Sequence, residues 1–162
     1  IDNSGRPTSG GHGSHMRAIN QVRRLGSIAA AIDSGAVRSG IMHALVTQGV
    51  PFVLAGSIRN DGPLPEVITD ALAAQDAMRE HTVQATGAVF VATALHAIAV
   101  GNMLPAFHTH TADGHPEPLM TICVDQTEFV VNKLKDRGTH QAYGVVTNAH
   151  DFMHILRIYL ER

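Results

Sequence analysis

The sequence predicts an α/β fold, a parallel sheet of at least four strands flanked by helices, on three observations. Short continuous apolar runs recur at 51–55, 88–92, 120–124 and 142–146. Runs of this kind, without polar alternation, are what strands buried on both faces look like. Stretches with apolar residues at helical spacing lie between and around them, as crossover helices require. The third observation is composition: 162 residues, 44% hydrophobic and 16% charged, suit one domain able to bury a core.

Each element has its own signal. The helix expected over 37–48 carries Ile41, Leu45 and Val46 on one face and stops at Gly49. The strand at 51–55 follows it. Residues 64–86 then begin Pro-rich and place Val67, Leu72 and Met78 on a helical template. After the strand at 120–124, residues 126–137 carry Phe129, Val130 and Leu134 ahead of Gly138. A last helix is expected over 149–160. The one long irregular stretch, 105–118, holds His108, His110, Asp113, Gly114 and His115 and reads as a loop.

Composition also excludes functions. A formal net charge of −2 leaves no electrostatic footprint for nucleic acid or an anionic membrane surface. One cysteine cannot form an internal disulfide, so the expected setting is reducing and cytoplasmic. No apolar run approaches the roughly 18 residues of a membrane-spanning helix. Residues 1–15 are rich in Ser, Gly and His and end in a Gly-Ser-His-Met junction at 13–16, which reads as a tag remnant. The domain is then expected over 16–162.

Sheets of this class bind ligands outside the carboxyl ends of their strands. The first run leads into Gly56 and Ser57, where backbone N–H groups could meet a phosphate; a plain turn reads equally well. The second leads to a small-residue helix closed by Gly101 and Asn102; Asn102 could recognise an amide or ribose, or simply end the helix. The third ends in Asp125, where dinucleotide-binding sheets commonly hold the adenosine ribose. A carboxylate there repels a 2′-phosphate, which favours NAD over NADP. Asp125 could instead cap the helix that follows. Thr147 and Asn148 end the fourth run at the same edge.

Several familiar motifs are missing. The sequence has no G-x-G-x-x-G, no G-x-x-x-x-G-K-[ST] and no G-x-S-x-G. Its two lysines, Lys133 and Lys135, fall on a helix. His108, His110 and His115 with Asp113 contain competent metal-ligand types at a spacing that fits no established catalytic site. No metal ligand set is assigned to them, and no general acid or base can be named.

Blocks in a fixed order carry a resemblance. They are 22–27, 40–42, 50–67, 92–105, 121–125 and 133–138, including Leu54-Ala55-Gly56-Ser57, Gly101-Asn102-Met103-Leu104-Pro105 and Thr121-Ile122-Cys123-Val124-Asp125. Together they resemble the LOR/SDH bifunctional enzyme conserved domain, whose fold is similar to the Rossmann-like, NAD-binding fold of deoxyhypusine synthase. The resemblance implies an ornithine-cyclodeaminase-like enzyme converting ornithine to proline and ammonia with bound NAD. It further implies an amino-acid substrate, a homo-oligomer, and in some members an arginine dihydrolase module ahead of this region. Position by position it implies cofactor contacts at Asp70, Asn102, Met103, Leu104, Pro105 and Asp125 and near Asn148, to which the strand-end reading adds Gly56 and Ser57. The chain departs from the family in a longer His-rich loop and a much shorter amino end, the part that normally adds cofactor and substrate contacts. Two alternatives stand beside this reading: a module that holds NAD or an amino acid without turnover, and a metal-dependent enzyme centred on His108, His110 and His115.

Overall fold

A computed structural model describes residues 9–56, 62–91, 94–137 and 142–161, with side chains left undescribed at 11, 12 and 134–137. The chain divides into two compact units, Ile1–Ala77 and Met78–Arg162.

The first unit is helical. Helix α1 (Gly11–Leu25) ends because Gly26 takes a left-handed φ of 90° and its N–H donates to the Val22 carbonyl. Ser27 then opens α2 (Ile28–Asp33), its hydroxyl accepting from the Ala30 N–H at 3.0 Å. Glu66 Oε2 accepts from the Ile28 N–H at 2.7 Å, placing a carboxylate at the positive end of α2. Val22, Ile28 and Ala31 are buried, with Leu25, Val46 and Phe52 among the side chains packed on them. Helix α3 (Ile41–Thr47) starts later than the pattern 37–48 suggests, after the left-handed Gly40.

The run 51–55 forms no strand. It contributes one parallel bridge, Ala55 to Ile68, in which Ile68 N–H donates to the Leu54 carbonyl and Gly56 N–H to the Ile68 carbonyl, each at 2.8 Å. Pro51 has no N–H to give a ladder, and the partner segment is held between Pro65 and the start of the next helix. That helix, α4 (Ala71–Thr82), begins after Asp70 rather than at 64, because Asp70 Oδ1 accepts from the Ala73 N–H at 2.8 Å.

The second unit carries the sheet. Strands β1 (Gly87–Val91), β4 (Met120–Asp125) and β5 (Ala142–Val146) pair in parallel in the order β1-β4-β5. Among the described residues the sheet has three strands, which corrects the expected minimum of four. Register runs from Gly87 opposite Met120 to Val91 opposite Val124, and from Thr121 opposite Ala142 to Asp125 opposite Val146. Helices α5 (Ala94–Gly101) and α6 (Glu128–Arg137) make the crossovers, and α7 (Ala149–Leu160) follows β5. Ala97, Cys123 and Ala142 are buried together, with Phe90, Ile98 and Val130 against them. Burial pushes the Cys123 thiol up, which keeps it protonated and inert.

The stretch expected as a loop, 105–118, contains a two-residue antiparallel ladder, β2 (Phe107–His108) with β3 (Glu117–Pro118). Its return passes through the left-handed Gly114, with His115 N–H donating to Asp113 Oδ1 at 3.2 Å and the Thr111 hydroxyl to the His115 carbonyl at 2.8 Å. No helix of the described residues is long and apolar enough to cross a membrane.

Two outcomes follow from this packing. A Cβ at Gly144 would collide with the buried Val131 side chain of α6. Gly144→Ala is expected to lower stability by about 1 to 3 kcal/mol, as overpacking does, with partial recovery when Val131→Ala is added; urea unfolding of both variants checks it. The His115 N–H, and after it the Thr111 hydroxyl, hold the Asp113 carboxyl below its ordinary range. Because the folded value is the lower one, the turn is strongest above the ordinary aspartate range and weakens as pH falls through the folded value. An NMR titration of Asp113 with a midpoint at or above that of free aspartate would contradict this.

Candidate site at the carboxyl edge of the sheet

Parallel pairing puts the carboxyl ends of β4 and β5 side by side. Directly beyond the last register pair, the Thr147 N–H donates to the Asp125 carbonyl at 3.0 Å, tying the two loops together. Helices α6 and α7 both start here, so their positive ends converge on one rim. Between the loops lies a cleft of about 400 Å³ lined by residues 124–127 and 147–150.

Asp125 Oδ1 accepts from the Thr127 N–H at 2.9 Å and from the Thr127 hydroxyl at 3.1 Å. Thr127 is held in turn as the entry to α6, its carbonyl accepting from the Val131 N–H. Asp125 is thus an Asx-turn residue one step removed from a simple cap. No described residue donates to its Oδ2. Asn148 has the matching role on the other loop: its Oδ1 accepts from the His150 N–H at 2.8 Å, and its backbone carbonyl from the Phe152 N–H. No described residue accepts from its side-chain N–H₂.

The cleft therefore offers a carboxylate oxygen as acceptor, an amide as donor and the hydroxyl-bearing Thr127 and Thr147, with neither lysine nor arginine in its lining. Two neighbouring hydroxyls on a ligand are the natural complement, since they can donate to the carboxylate and accept from the amide. Gln126, Thr127 and His150 also line it, and sequence reasoning passed over all three. Their signal was position alone, within four residues of a strand end.

Of the residues expected at a site, the structure brings Asp125 and Asn148 together. Met103, Leu104 and Pro105 line a different cleft at the amino edge. They follow α5 after it has run back along the sheet, and the next residue's carbonyl, at Ala106, accepts from Leu119 N–H just before β4 begins. Asn102 is exposed at the end of α5, its N–H donating to the Ile98 carbonyl. Gly56 and Asp70 belong to the first unit. The Gly56 N–H is already given to the Ile68 carbonyl, so it is not the open donor that the sequence suggested, and Asp70 caps α4. Ser57 lies outside the described residues. His108 and His110 have near-parallel rings 6.3 Å apart, and among the described residues no group of three or more His, Cys, Asp or Glu side chains is arranged to hold a metal ion.

Residues 2–156 match the family described as arginine dihydrolase ArgZ-like, C-terminal, Rossmann fold. The ornithine cyclodeaminase of Methanopyrus kandleri is 46% identical over 150 residues, which cover 93% of this chain and 34% of that protein. The crystal structure of a conserved LOR/SDH protein from Methanococcus maripaludis S2 superposes with a TM-score of 0.84 at 42% identity, over 97% of this chain and 44% of that one. AgrE, a bifunctional arginine dihydrolase/ornithine cyclodeaminase of Nostoc sp., is 42% identical over 153 residues, 94% of this chain and 20% of its own. Its ternary complex with ornithine and NAD+ superposes with a TM-score of 0.81, over 97% of this chain and 21% of that one. The chain thus spans about a third of the length of the archaeal relatives it matches.

Because Asp125 holds the entry to α6 through Oδ1, Asp125→Ala is expected to lower stability by about 0.5 to 2 kcal/mol, the usual cost of a lost cap. Asp125→Asn keeps an oxygen acceptor and should fall well short of that loss. Urea unfolding midpoints that were equal for the two variants would remove this role.

Proposed function

We propose, from the premise that the chain belongs to the arginine dihydrolase ArgZ-like, C-terminal Rossmann-fold family, that it is the NAD-binding domain of an ornithine-cyclodeaminase-like enzyme. The observation that carries the reading is the pairing of Asp125 and Asn148 across the carboxyl-edge cleft, each with one polar function engaged in the fold and one available. Asp125 ends the middle strand of the sheet, next to β1, which is the position from which a carboxylate takes the adenosine ribose in dinucleotide-binding folds. Its charge opposes a 2′-phosphate, and the lining holds no lysine or arginine to offset one. The relatives' names and the ornithine and NAD+ complex of AgrE support the same cofactor and an amino-acid substrate.

When bound, NAD supplies a hydride acceptor and donor for transient oxidation of the substrate. The role of this chain's own residues is to hold and orient. Asp125 Oδ2 accepts from ribose hydroxyls, and the Asn148 amide donates to the nucleoside. The cleft is near the lower end of small-ligand sites, about 300 to 1,000 Å³, and suits one nucleoside half. Contacts to the nicotinamide half and to the substrate are assigned to the parts of the enzyme that its relatives carry outside the matched region, and to a homo-oligomeric assembly.

Calorimetric titration of this chain with NAD and NADP tests the reading. NAD is expected to bind and NADP to bind more weakly. Asp125→Asn should reduce NAD affinity by about 1 to 3 kcal/mol, the range for hydrogen bonds to a charged group, and narrow the difference between the two cofactors. No heat with NAD, or equal affinity for both cofactors in the unsubstituted chain, would overturn it.

A further inference from the structure

The first unit holds a cleft of about 710 Å³ between α1 and the link from α2 to α3, lined by Gln21, Gly35, Ala36, Val37, Arg38 and Ser39. The link is fixed to the core of that unit. The Ala36 and Val37 N–H groups both donate to the Ala31 carbonyl, at 2.9 and 3.0 Å, and Ala31 is fully buried. The side chains of Ala36 and Val37 pack on the same buried cluster. Gly35, at a left-handed φ of 73°, turns the chain out of α2.

Arg38 is the one charged residue in this lining, and no carboxylate lines the cleft to cancel it. Its Nε donates to the Gly35 carbonyl at 2.8 Å, which holds the guanidinium against its own link. Among the described residues its Nη groups have no partner, and the side chain is exposed, so the remaining N–H donors are open to a ligand. That free end is a planar fork matched to two oxygens of an oxyanion. The exposed side chains of Gln21 and Ser39 make no hydrogen bond among the described residues and add an amide and a hydroxyl as donors. Arg17 and Arg24 stand at i−4 and i+3 from Gln21, on its face of α1, and the acid nearest in sequence to the link, Asp33, is outside the lining. Flanking positive charge of this kind favours a dianion over a monoanion. The volume, within the range of about 300 to 1,000 Å³ for small-ligand sites, leaves room for an organic body beside the anion.

We propose that this cleft is a binding site for a small phosphate monoester, its phosphate oxygens held by Arg38 and Ser39 and its body set against Gln21, Ala36 and Val37. The site shares no residue with the carboxyl-edge cleft or with the positions at which the family resemblance implies cofactor contacts, so it stands apart from the cofactor reading.

The test is a heteronuclear NMR titration of the chain with glycerol 3-phosphate, with glycerol and with acetate. Glycerol 3-phosphate is expected to give saturable shifts at the Arg38 Nε–H, the Gln21 side-chain amide and the Val37 methyls, with no shifts from glycerol and about tenfold weaker binding of acetate. Arg38→Gln should weaken glycerol 3-phosphate about tenfold and leave the spectrum of the fold intact, since Arg38 is exposed and its one hydrogen bond lies within its own link. Arg38→Lys, which keeps the charge and loses the fork, should recover only part of the affinity. Shifts of equal size at Arg23, on another face of α1, would overturn the proposal. So would undiminished binding in Arg38→Gln, equal affinity for acetate, or NAD moving the same signals at lower concentration than glycerol 3-phosphate.

Discussion

The in-register parallel pairing of β4 between β1 and β5 is the constraint on which the rest of the second unit depends. It sets Asp125 opposite Val146, so the two chains leave the sheet at the same height and Thr147 can donate back to the Asp125 carbonyl. A shift of one residue would turn Thr121, Cys123 and Val124 to opposite faces and move Asp125 off the rim. The core enforces the register, because Cys123 and Ala142 must face α5 and α6 and Gly144 must leave room for Val131. The position of a candidate ligand carboxylate is therefore decided by apolar packing on the neighbouring residues.

That packing is uneven. The face carrying Phe90, Cys123 and Ala142 is closed by the crossover helices, while Val89, Met120 and Tyr143 on the other face are 53%, 53% and 66% exposed. Register on the closed face is over-determined by small residues in tight contact. Val124, the residue before Asp125, lies on that other face and is nevertheless buried, so the carboxyl end of β4 is packed on both sides. By contrast, the amino-edge cleft is built on a two-residue ladder and a polar turn, so its geometry rests on local hydrogen bonds around Asp113 and His115.

Much of this was legible in the sequence, and the failures have physical causes. The runs at 88–92, 120–124 and 142–146 are strands to within a residue or two, but the burial on both faces that their continuous apolarity suggested is seen on one face only for β1 and β5, whose other-face residues Val89 and Tyr143 are exposed. The run at 51–55 has the same composition and pairs at only one bridge, since hydropathy reports burial and says nothing about a partner. Helix starts shifted for a related reason: Asp70 and Thr127 were visible as polar residues, but which of several polar residues closes the first turn depends on geometry that spacing does not encode. Asp125 and Asn148 were legible as strand-end residues. Their adjacency came from strand order. The separation of residues 103–105 from them was invisible, because a helix of eight residues reverses direction without leaving a mark in composition.

Asp125 and Asn148 also show why the readings of cap and ligand residue need not compete. A carboxylate has about four acceptor directions and an amide carries two donors besides its oxygen. In each residue the fold engages one oxygen, through Thr127 in one case and His150 in the other. What is left is an acceptor on one loop and a donor on the next, already oriented because the engaged oxygen fixes the side chain. A ligand meeting such groups avoids much of the rotamer ordering that flexible side chains would impose on binding. Helix capping at this edge thus prepares the recognition chemistry, and the same two short loops can serve stability and binding through different atoms of the same side chains.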